Sequence, residues 1–384
     1  MSVKMKKNLL FFTSTRADFG KLEPLAIAAR DSGFDVSFFV TGMHMLEQYG
    51  MTKFEVQRVQ GVMVHEFLNQ RSADGQDIIL AKTIMGFSDF CIENKPDLVI
   101  IHGDRVEALA CGLVCATNYI RSVHIEGGKV SGTIDESFRH CNSKLANYHF
   151  VSSQDSKKRV LSLGESDNSI YVIGSPELDF HLQASGVTLA NVKSHYQIVF
   201  EDFGVVIFHP VTSEVHTIGD QALSLYAELV ASNKSYVVIA PNNDPGANDI
   251  LNVMNNLPSD RFHILPSMRF SHFSELMRNA SAMIGNSSAG VREAPFIGIP
   301  SIDIGTRQTN RASAESITHS SAYDRSTIKK FISEAWGKRY DREYTFGKGS
   351  AADLFVKILK EEKFWTTSLQ KVFAEKNFST AKET

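Results

Sequence analysis

Short apolar runs alternate with amphipathic stretches along most of the chain. The first run, Leu9–Thr15, is apolar until it ends in small hydroxyl residues, which is typical of a strand buried in a parallel sheet. A helical pattern follows from Arg16 to Gly33. Phe34–Val40 predicts the next strand, and the stretch after it to about Ala73 has a weak pattern, which predicts irregular structure with one short strand. The alternation then resumes and predicts strands at Asp97–His102, Ser122–Glu126, Tyr148–Ser152 and Ile170–Ile173, and helices at Ile78–Cys91, Val106–Thr117, Asp135–Ala146 and Ser156–Leu163.

The pattern loosens around Gly174 and a second alternation begins at Val205. It predicts strands at Val205–His209, Tyr236–Ala240, Phe262–Leu265, Ala282–Gly285 and Ser301–Ile304, with helices between and after them that include Trp365–Glu375. Strand and helix in repeated succession predict an α/β fold with two doubly wound, Rossmann-like domains and a cleft between them. We place the N-terminal domain at residues 1–176, the C-terminal domain at 177–362, and a final helix at 363–384 that packs back on the N-terminal domain.

Composition narrows the class of protein. The chain has 384 residues, of which 43% are apolar and 22% charged, so each of two domains can bury an ordinary core. A net charge of −3 predicts no nucleic-acid or membrane partner. The four cysteines have no metal or redox spacing, and the first apolar run is too short for a signal peptide, so we expect a cytoplasmic protein without a metal or cofactor.

Reactive side chains follow immediately after several of the predicted strands. The positions are Arg16 and Asp18, His44, Asp104 and Arg105, Glu126, His209, and Asn242, Asn243 and Asp244. The carboxyl ends of parallel strands lie at one edge of a sheet, so these side chains should converge within each domain. Any one of them could be only a turn or cap residue, and Asp104 could cap the helix that follows it.

The segment from His124 to His140 holds three carboxylates among basic residues. Glu126 follows a buried strand, and an unpaired buried carboxylate is costly, so it should have a partner or a task. Thr133 as an N-cap with Glu136 three positions later predicts a capping box, with Asp135 in the same first turn. The alternatives are therefore a capped, solvated face and an acid/base site.

Small residues from Gly285 to Gly290 stand between a strand and a helix. Backbone N–H groups and the hydroxyls of Ser287 and Ser288 at such a helix start suit a phosphate, although the segment is neither a Walker loop nor a dinucleotide fingerprint. Glu293 could accept hydrogen bonds from a ribose, or be a surface carboxylate favoured by the helix dipole. Arg307 and Arg311 follow the next strand and could supply positive charge.

Taken together, these motifs resemble those of the hydrolysing UDP-N-acetylglucosamine 2-epimerases of bacterial sialic-acid pathways. The motifs that carry the resemblance start at Thr15, Thr41, His102, His124, Ser131, His209, Gly285 and Gly305, in family order. The resemblance implies two domains of the glycosyltransferase-B type, with UDP held mostly by the second. It also implies that UDP-N-acetylglucosamine is converted to N-acetylmannosamine and UDP through a 2-acetamidoglucal, in a homodimer or homotetramer.

The resemblance also implies roles for individual residues. Acid/base chemistry and sugar positioning would belong to Asp104, Glu126, Asp135, Glu136 and His209. Nucleotide or substrate binding would belong to Arg16, Gly20, Lys21, His44, Arg105, Asn243, Asp244, Arg269, Phe270, Asn286, Ser287, Ser288, Glu293 and Arg307.

The chain departs from the non-hydrolysing relatives at two motifs. Those relatives have Arg-Pro-Glu near the first strand, where this chain has Arg-Ala-Asp at 16–18, and Glu-Ala-Gly where this chain has Glu-Gly-Gly at 126–128. Both differences favour the hydrolysing branch. Glu136 also stands where close relatives often have Asp. The alternatives are a hydrolysing epimerase for a UDP- or GDP-linked 2,4-diacetamido sugar, a glycosyltransferase of the same architecture, and a catalytically silent nucleotide-sugar sensor.

Overall fold

A computed structural model describes residues 6–71, 74–131, 134–182, 186–242 and 244–375. The described residues form two compact units. Unit 1 draws on Met1–Lys129, Ile134–Asp179 and Gly347–Thr384, and unit 2 on Val130–Thr133 and Phe180–Phe346. Two residues named above, Thr133 and Asn243, lie outside the described part of the chain.

Unit 1 is built on a parallel sheet. Its described strands are β1 (Asn8–Thr13), β2 (Asp35–Val40), β3 (Met63–Glu66), β4 (Leu98–His102), β5 (Ser122–Ile125), β6 (Tyr148–Val151) and β7 (Ile170–Val172). They lie in the order β3-β2-β1-β4-β5-β6-β7, and every pairing is parallel. The helices between them are α1 (Arg16–Asp31), α2 (Lys53–Val56), α3 (Gln76–Asn94), α4 (Val106–Thr117), α5 (Asp135–Leu145) and α6 (Gln154–Ser162).

Unit 2 repeats this architecture. Helix α7 (Glu177–Leu182) begins in unit 1 and ends in unit 2. Helix α8 (Leu189–Tyr196) is followed by strands β8 (Gly204–Ile207), β9 (Tyr236–Ile239), β10 (Phe262–Leu265), β11 (Ala282–Gly285), β12 (Ser301–Ile304) and β13 (Ile317–Ser320). The strand order is β10-β9-β8-β11-β12-β13, again all parallel. The remaining helices of this unit are α9 (Ile218–Ala231), α10 (Ala247–Met254), α11 (Phe270–Asn279), α12 (Ser288–Ile297) and α13 (Arg325–Glu334).

Both sheets have apolar side chains on both faces because helices cover them. In unit 1, Phe11 and Phe38 from neighbouring strands are fully buried, with ring centroids 5.5 Å apart. In unit 2, Val206, Val238 and Ile284 are fully buried. Continuous apolar strands of this kind fit only parallel sheets packed between helices. The predicted fold class of two doubly wound α/β domains is therefore confirmed.

The end of the chain returns to unit 1 as α14 (Ala351–Leu359) and α15 (Glu362–Thr366). The Phe364 ring stacks on Tyr148 with centroids 4.2 Å apart. The Arg121 guanidinium donates to the carbonyl oxygens of Trp365 at 2.9 Å and Thr367 at 3.2 Å. We expected residues 347–362 in the second domain. The structure groups them with the first, because α14 buries Phe355 against the core of that unit.

Two local predictions differ from the structure. The predicted helix Trp365–Glu375 ends at Thr366, because Lys371 instead donates to the carbonyl oxygens of Lys144 at 2.7 Å and Ala146 at 2.6 Å. These contacts to a distant segment outweigh a local amphipathic pattern. Strand β13 was not predicted, since its sequence is half polar and it pairs with only one neighbour at the edge of the sheet. Among the described residues, no helix is both long and apolar enough to cross a membrane.

Asp179 anchors the returning segment. Its carboxylate oxygens accept the backbone N–H groups of Ala351 at 3.0 Å and Ala352 at 2.7 Å, at the start of α14. Asp179 is buried, and burial raises the pKa of its carboxyl to about 6 in spite of these two bonds. The substitution Asp179→Ala would leave two buried donors unpaired. We expect it to lower the free energy of unfolding by roughly 1–3 kcal/mol in chemical denaturation.

Asp353, in the first turn of the same helix, is the matched control. It is exposed, so Asp353→Ala should change the free energy of unfolding by no more than about 0.5 kcal/mol. Equal effects of the two substitutions would show that Asp179 does not anchor α14.

Candidate functional site

The strand order of each unit predicts where a ligand binds. The order reverses direction between β1 and β4 in unit 1, and between β8 and β11 in unit 2. In open α/β sheets the carboxyl ends of the strands on either side of such a switch point form the ligand crevice. The predicted site residues of each unit follow these strands or their neighbours.

In unit 1, Glu126 is at the centre of a group of buried polar side chains. One carboxylate oxygen, Oε2, is 3.0 Å from Lys21 Nζ. The other, Oε1, contacts Lys129 Nζ and accepts the hydroxyl of Ser175 at 3.0 Å. Glu126 itself is 4% exposed, so this charge is buried and compensated by two ammonium groups. The carboxylate predicted to need a partner therefore has several, which is the condition under which a buried charge is tolerated.

His102 at the end of β4 borders this group. Its Nε2 is 3.4 Å from Glu126 Oε2 but lacks the alignment of a hydrogen bond. Burial lowers the pKa of His102, and the charge of Lys21 lowers it further, against the opposing effect of Glu126. A neutral imidazole therefore borders the carboxylate at neutral pH.

The backbone after β5 turns sharply to present Glu126. Its φ of 67° lies in the left-handed region, where a non-glycine residue is held only by its surroundings. A Cβ added to the following residue, Gly127, would lie 2.8 Å from Ser143 Oγ and 3.0 Å from His124 Nδ1. These two atoms are already hydrogen-bonded to each other at 3.1 Å. The turn therefore requires a glycine at position 127.

Asp104 is not a helix cap. The N-cap residue of α4 is Arg105, and no side chain caps that helix. The Asp104 carboxylate is instead ion-paired with Arg139 Nη2, and Arg139 also donates to the carbonyl oxygen of Lys129 at 3.0 Å. Arg139 thus connects the Asp104 loop to the loop that carries the Glu126 group.

His124 supports the same loop from inside the unit. Its Nε2 bonds the carbonyl oxygen of Gly103 at 2.7 Å, so Nε2 carries the proton and Nδ1 accepts from Ser143. Burial lowers the pKa of His124 to about 3. His124 is therefore a neutral residue that positions the turn before Asp104.

Asp135 and Glu136 lie in the first turn of α5, and Glu136 Oε1 is 3.4 Å from His140 Nε2. The N-cap position is Ile134, one residue later than predicted, and its side chain makes no cap hydrogen bond. Glu136 is then the second helical residue, whereas Thr133, on which the predicted capping box depends, lies outside the described residues. Both carboxylates are half-buried.

The other predicted residues of unit 1 are on α1 or next to it. Arg16 opens α1 with Nη2 2.7 Å from Glu55 Oε1, and Gly20 is buried within the same helix. His44 is fully buried, with Nε2 3.0 Å from Thr13 Oγ1 and Nδ1 2.7 Å from Thr52 Oγ1. Both ring nitrogens are therefore engaged within the protein, and the predicted role of His44 in nucleotide or substrate binding stays a prediction.

In unit 2 the switch point brings His209 and Asn286 together. Asn286 Oδ1 accepts the backbone N–H of His209 at 2.7 Å, and its Nδ2 donates to the His209 carbonyl oxygen at 2.8 Å. The Asn286 side chain thus holds the backbone of His209, and the predicted role of Asn286 in nucleotide binding stays a prediction. The Asn286 carbonyl oxygen accepts from Arg307 Nη1 at 3.3 Å.

The predicted phosphate site begins at Ser287, the N-cap of α12, and Ser288 is the first helical residue. Both are half-buried at the helix N-terminus, as expected for an anion site. Glu293 is 5% exposed, which excludes the surface carboxylate considered above. Its Oε2 lies 3.9 Å from His181 Nε2.

Three other predicted residues of unit 2 follow strands β9 and β10, which lie on one side of the switch point. Arg269 is the N-cap of α11, and its backbone N–H donates to the Tyr196 hydroxyl at 3.0 Å. Phe270 packs its ring against Phe180 with centroids 5.2 Å apart. Asp244 accepts from Asn242 Nδ2 at 2.5 Å, and the adjacent Asn243 is outside the described residues.

Comparison with known proteins identifies the family. The family model described as UDP-N-acetylglucosamine 2-epimerase matches residues 26–360. The chain belongs to the UDP-N-acetylglucosamine 2-epimerase family. A UDP-N-acetylglucosamine 2-epimerase of Neisseria meningitidis serogroup B is 39% identical, over 97% of this chain and all of that protein. A UDP-N,N'-diacetylbacillosamine 2-epimerase (hydrolyzing) of Legionella pneumophila is 30% identical, over 93% of this chain and 96% of the relative.

A solved structure from Neisseria meningitidis, UDP-GlcNAc 2-epimerase bound to UDP-GlcNAc, matches 92% of this chain and 99% of its own. The TM-score is 0.74 at 19% identity, so the likeness concerns the fold. The predicted family and the predicted glycosyltransferase-B type of two Rossmann-like domains are confirmed.

Several members of the Glu126 group were not among the predicted site residues. Lys129 had a local signal, because it follows Glu126 by three positions. Ser175 had none, and Arg139 was only one basic residue of the segment 124–140, because their contacts depend on segments that meet only in the folded unit. Glu107 was also missed. It is fully buried 3.6 Å from Arg105 Nε, and burial raises its pKa.

The crowding at Gly127 gives a testable prediction. An alanine there must displace Ser143 or His124, so Gly127→Ala should lower the free energy of unfolding by about 1–3 kcal/mol. Gly219 in α9 is the matched control, since an added Cβ would meet only Asp249 Cβ at an ordinary 3.5 Å. Gly219→Ala should be neutral or slightly stabilising in the same denaturation experiment. A Gly127→Ala protein as stable as the control would contradict the tight turn.

Proposed function

We propose that this epimerase-family protein is a hydrolysing UDP-N-acetylglucosamine 2-epimerase, which converts UDP-N-acetylglucosamine and water to N-acetylmannosamine and UDP. The observation that carries the proposal is the buried Glu126 carboxylate held by Lys21, Lys129 and Ser175 at the carboxyl end of β5. Glu126 is thus an oriented carboxylate at the edge of the unit 1 sheet where a ligand is expected. Proton transfer at a sugar carbon requires such a group.

The reaction has two stages that balance in atoms and charge. In the first, a base removes the proton from C2 of the sugar while the bond from C1 to the phosphate oxygen breaks, which yields 2-acetamidoglucal and UDP. In the second, a water molecule gives one proton to a base as its oxygen bonds to C1, and an acid returns a proton to C2 on the opposite face. Each stage needs an acid and a base held in fixed positions.

Unit 1 supplies the candidates for these proton transfers. They are Asp104, Glu126, Asp135 and Glu136, and which of them is the C2 base stays open. Arg139 favours an arrangement in which Asp104 and Glu126 act as a unit, because it contacts Asp104 and the backbone of the loop that follows Glu126. Lys21 and Lys129 stabilise the negative charge of Glu126.

Unit 2 supplies the candidates for nucleotide binding. The half-buried hydroxyls of Ser287 and Ser288 lie at the N-terminus of α12, where backbone N–H groups favour an anion. Arg307 adds a positive charge held against the carbonyl of Asn286. We assign the diphosphate to this set of residues and the ribose to Glu293, because the buried carboxylate of Glu293 can accept two hydroxyl hydrogen bonds.

Two local features support the hydrolysing branch. Gly127 has no room for the alanine of the non-hydrolysing motif without displacement of Ser143 or His124. Asp18 stands where that motif has glutamate, and its carboxylate fits a closed set of bonds to the backbone of Ser14 and Thr15. A longer side chain would disrupt these short-range bonds.

The identity of the sugar has one alternative with its own support. The Legionella relative, 30% identical, is named for a UDP-linked diacetamido sugar, so a second candidate is a hydrolysing epimerase for that substrate class. A glycosyltransferase would need an acceptor for the sugar. We place UDP-N-acetylglucosamine ahead of the diacetamido sugar as the substrate because the Neisseria relative, named for that nucleotide sugar, is more similar, at 39% identity. The free sugar would feed sialic-acid biosynthesis in the cytoplasm, and the expected homodimer or homotetramer stays a prediction.

The first functional prediction concerns the products. Incubation with UDP-N-acetylglucosamine in deuterated water, without an acceptor, should release UDP and N-acetylmannosamine that carries deuterium at C2, as resolved by NMR. The solvent is the source of the new hydrogen because the original proton leaves with the base. Parallel incubations with UDP- and GDP-linked diacetamido sugars test the alternative substrates. Retention of the original C2 hydrogen would refute elimination, and UDP-N-acetylmannosamine as the product would place the protein in the non-hydrolysing branch.

The second functional prediction separates the two units. Glu126→Gln and Asp104→Asn should each lower kcat by ~10²–10⁴ and leave UDP affinity nearly unchanged. Arg307→Ala should instead weaken UDP binding by roughly 1–3 kcal/mol in calorimetry, since a charge-assisted contact is lost. Arg339, exposed in unit 2, is the control for Arg307, and Arg339→Ala should alter neither quantity. Near-normal turnover in both carboxylate variants would show that the chemistry lies elsewhere.

A further inference from the structure

His209 is held in one tautomer by the backbone around it. Its Nδ1 lies 3.0 Å from the backbone nitrogen of Asn242. A peptide N–H can only donate, so Nδ1 must be the acceptor and must carry no proton. In a neutral imidazole the proton is then on Nε2. The position of the proton follows from a main-chain donor, which cannot reverse its role as a hydroxyl or a side-chain amide can.

The backbone of His209 is fixed as well. The side-chain amide of Asn286 pairs with both the N–H and the carbonyl of His209, at 2.7 and 2.8 Å. Asn286 is in turn held by its own N–H, which donates to Ile207 at 3.1 Å, and by Gln308 Nε2, which donates to its carbonyl at 2.8 Å. The ring therefore projects from a clamped backbone at the switch point of unit 2.

A second proton on the ring would be unfavourable. It would place an Nδ1–H against the N–H of Asn242, and the two donors would repel each other. Burial lowers the pKa of His209 well below its ordinary value, and the nearby charge of Arg307 lowers it further. Asp244, the carboxylate on the adjoining loop, bonds the side chain of Asn242 and not the ring.

The neutral Nε2–H ring has neither of the properties that acid/base catalysis needs. Nδ1 has a lone pair, but the N–H of Asn242 occupies it. Nε2 has a proton, but its loss would leave an imidazolate, which is too unstable to form at neutral pH. A fixed N–H that faces developing negative charge stabilises that charge without any proton transfer. The active-site histidine of triosephosphate isomerase is likewise a neutral hydrogen-bond donor.

We propose that His209 is a neutral hydrogen-bond donor whose Nε2–H stabilises the charge on a diphosphate oxygen of the departing nucleotide, and that it transfers no proton to or from the sugar. This changes its predicted role from acid/base chemistry to leaving-group stabilisation. The diphosphate is the partner that the surroundings favour, because Arg307 contacts the carbonyl of Asn286 and Ser287 and Ser288 begin the adjacent helix. The choice of ligand rests on the proposed function, whereas the tautomer does not.

Two substitutions separate a donor from a base. The amide nitrogen of a glutamine can take the place of Nε2 as a donor, whereas leucine has a similar volume and no donor. We expect His209→Leu to lower kcat by ~10²–10³, the loss typical of one oxyanion donor, and His209→Gln to recover at least about tenfold of it. The pH profile of kcat/KM should be the same for His209→Gln and the wild type. Equal losses in both variants, with one limb of the pH profile missing, would overturn the proposal.

The tautomer is tested without any substrate. The full-length protein labelled with ¹⁵N-histidine should show an unprotonated Nδ1 and a protonated Nε2 for His209, with neither signal moving between about pH 6 and pH 8.5. Spectra of His209→Gln or His209→Asn supply the assignment, so one folded variant is enough. A proton on Nδ1, or a titration within this range, would overturn the proposal.

The two measurements also separate this proposal from the proposed function. If UDP-N-acetylglucosamine is not turned over, the NMR result stands alone, and UDP affinity replaces kcat as the comparison between His209→Gln and His209→Leu. A higher affinity for His209→Gln would then support the donor role. Equal affinities of the two variants for UDP would contradict it.

Discussion

The buried negative charge of Glu126 is the constraint on which the site of unit 1 depends. Removal of one partner from a buried charge pair costs about 3–5 kcal/mol, so the folded unit is stable only when the partners of Glu126 are all in place. Lys21 comes from α1, Lys129 from the turn after β5, and Ser175 from the segment after β7. One carboxylate therefore connects three parts of the chain at the edge of the sheet where a ligand is expected.

Unit 2 has a corresponding strand order, but the groups that hold its reactive side chain are neutral. His209 is oriented by a backbone N–H and by the amide of Asn286, so its half-buried neutral ring needs no compensating charge. Neutral hydrogen bonds fix direction and tautomer, whereas ion pairs hold charge. The two units thus differ in the chemistry that they can supply although their strand orders correspond.

The C-terminal segment packs on unit 1 and contacts elements that carry predicted site residues. Asp179 receives the first turn of α14, and Lys371 covers the carbonyl groups at the end of α5, whose first turn carries Asp135 and Glu136. Glu165 compensates the charge of Lys371 at 2.7 Å, and its pKa is lowered to about 2 by hydrogen bonds from His149 and two lysines, which outweigh its burial. The orientation of α5 is therefore connected to the C-terminal segment.

The order of apolar runs and helical patterns was enough to predict two doubly wound α/β domains, because parallel strands are buried on both faces and leave a signal within a few residues. The same local logic placed Glu126, His209 and Ser287 at strand ends. Partners that lie far apart in the sequence could not be obtained this way. Ser175 donates to Glu126, and Arg139 forms an ion pair with Asp104, only because distant segments meet at one sheet edge. The tautomer of His209 also depends on the N–H of Asn242, 33 residues away, a geometry that only the tertiary structure decides.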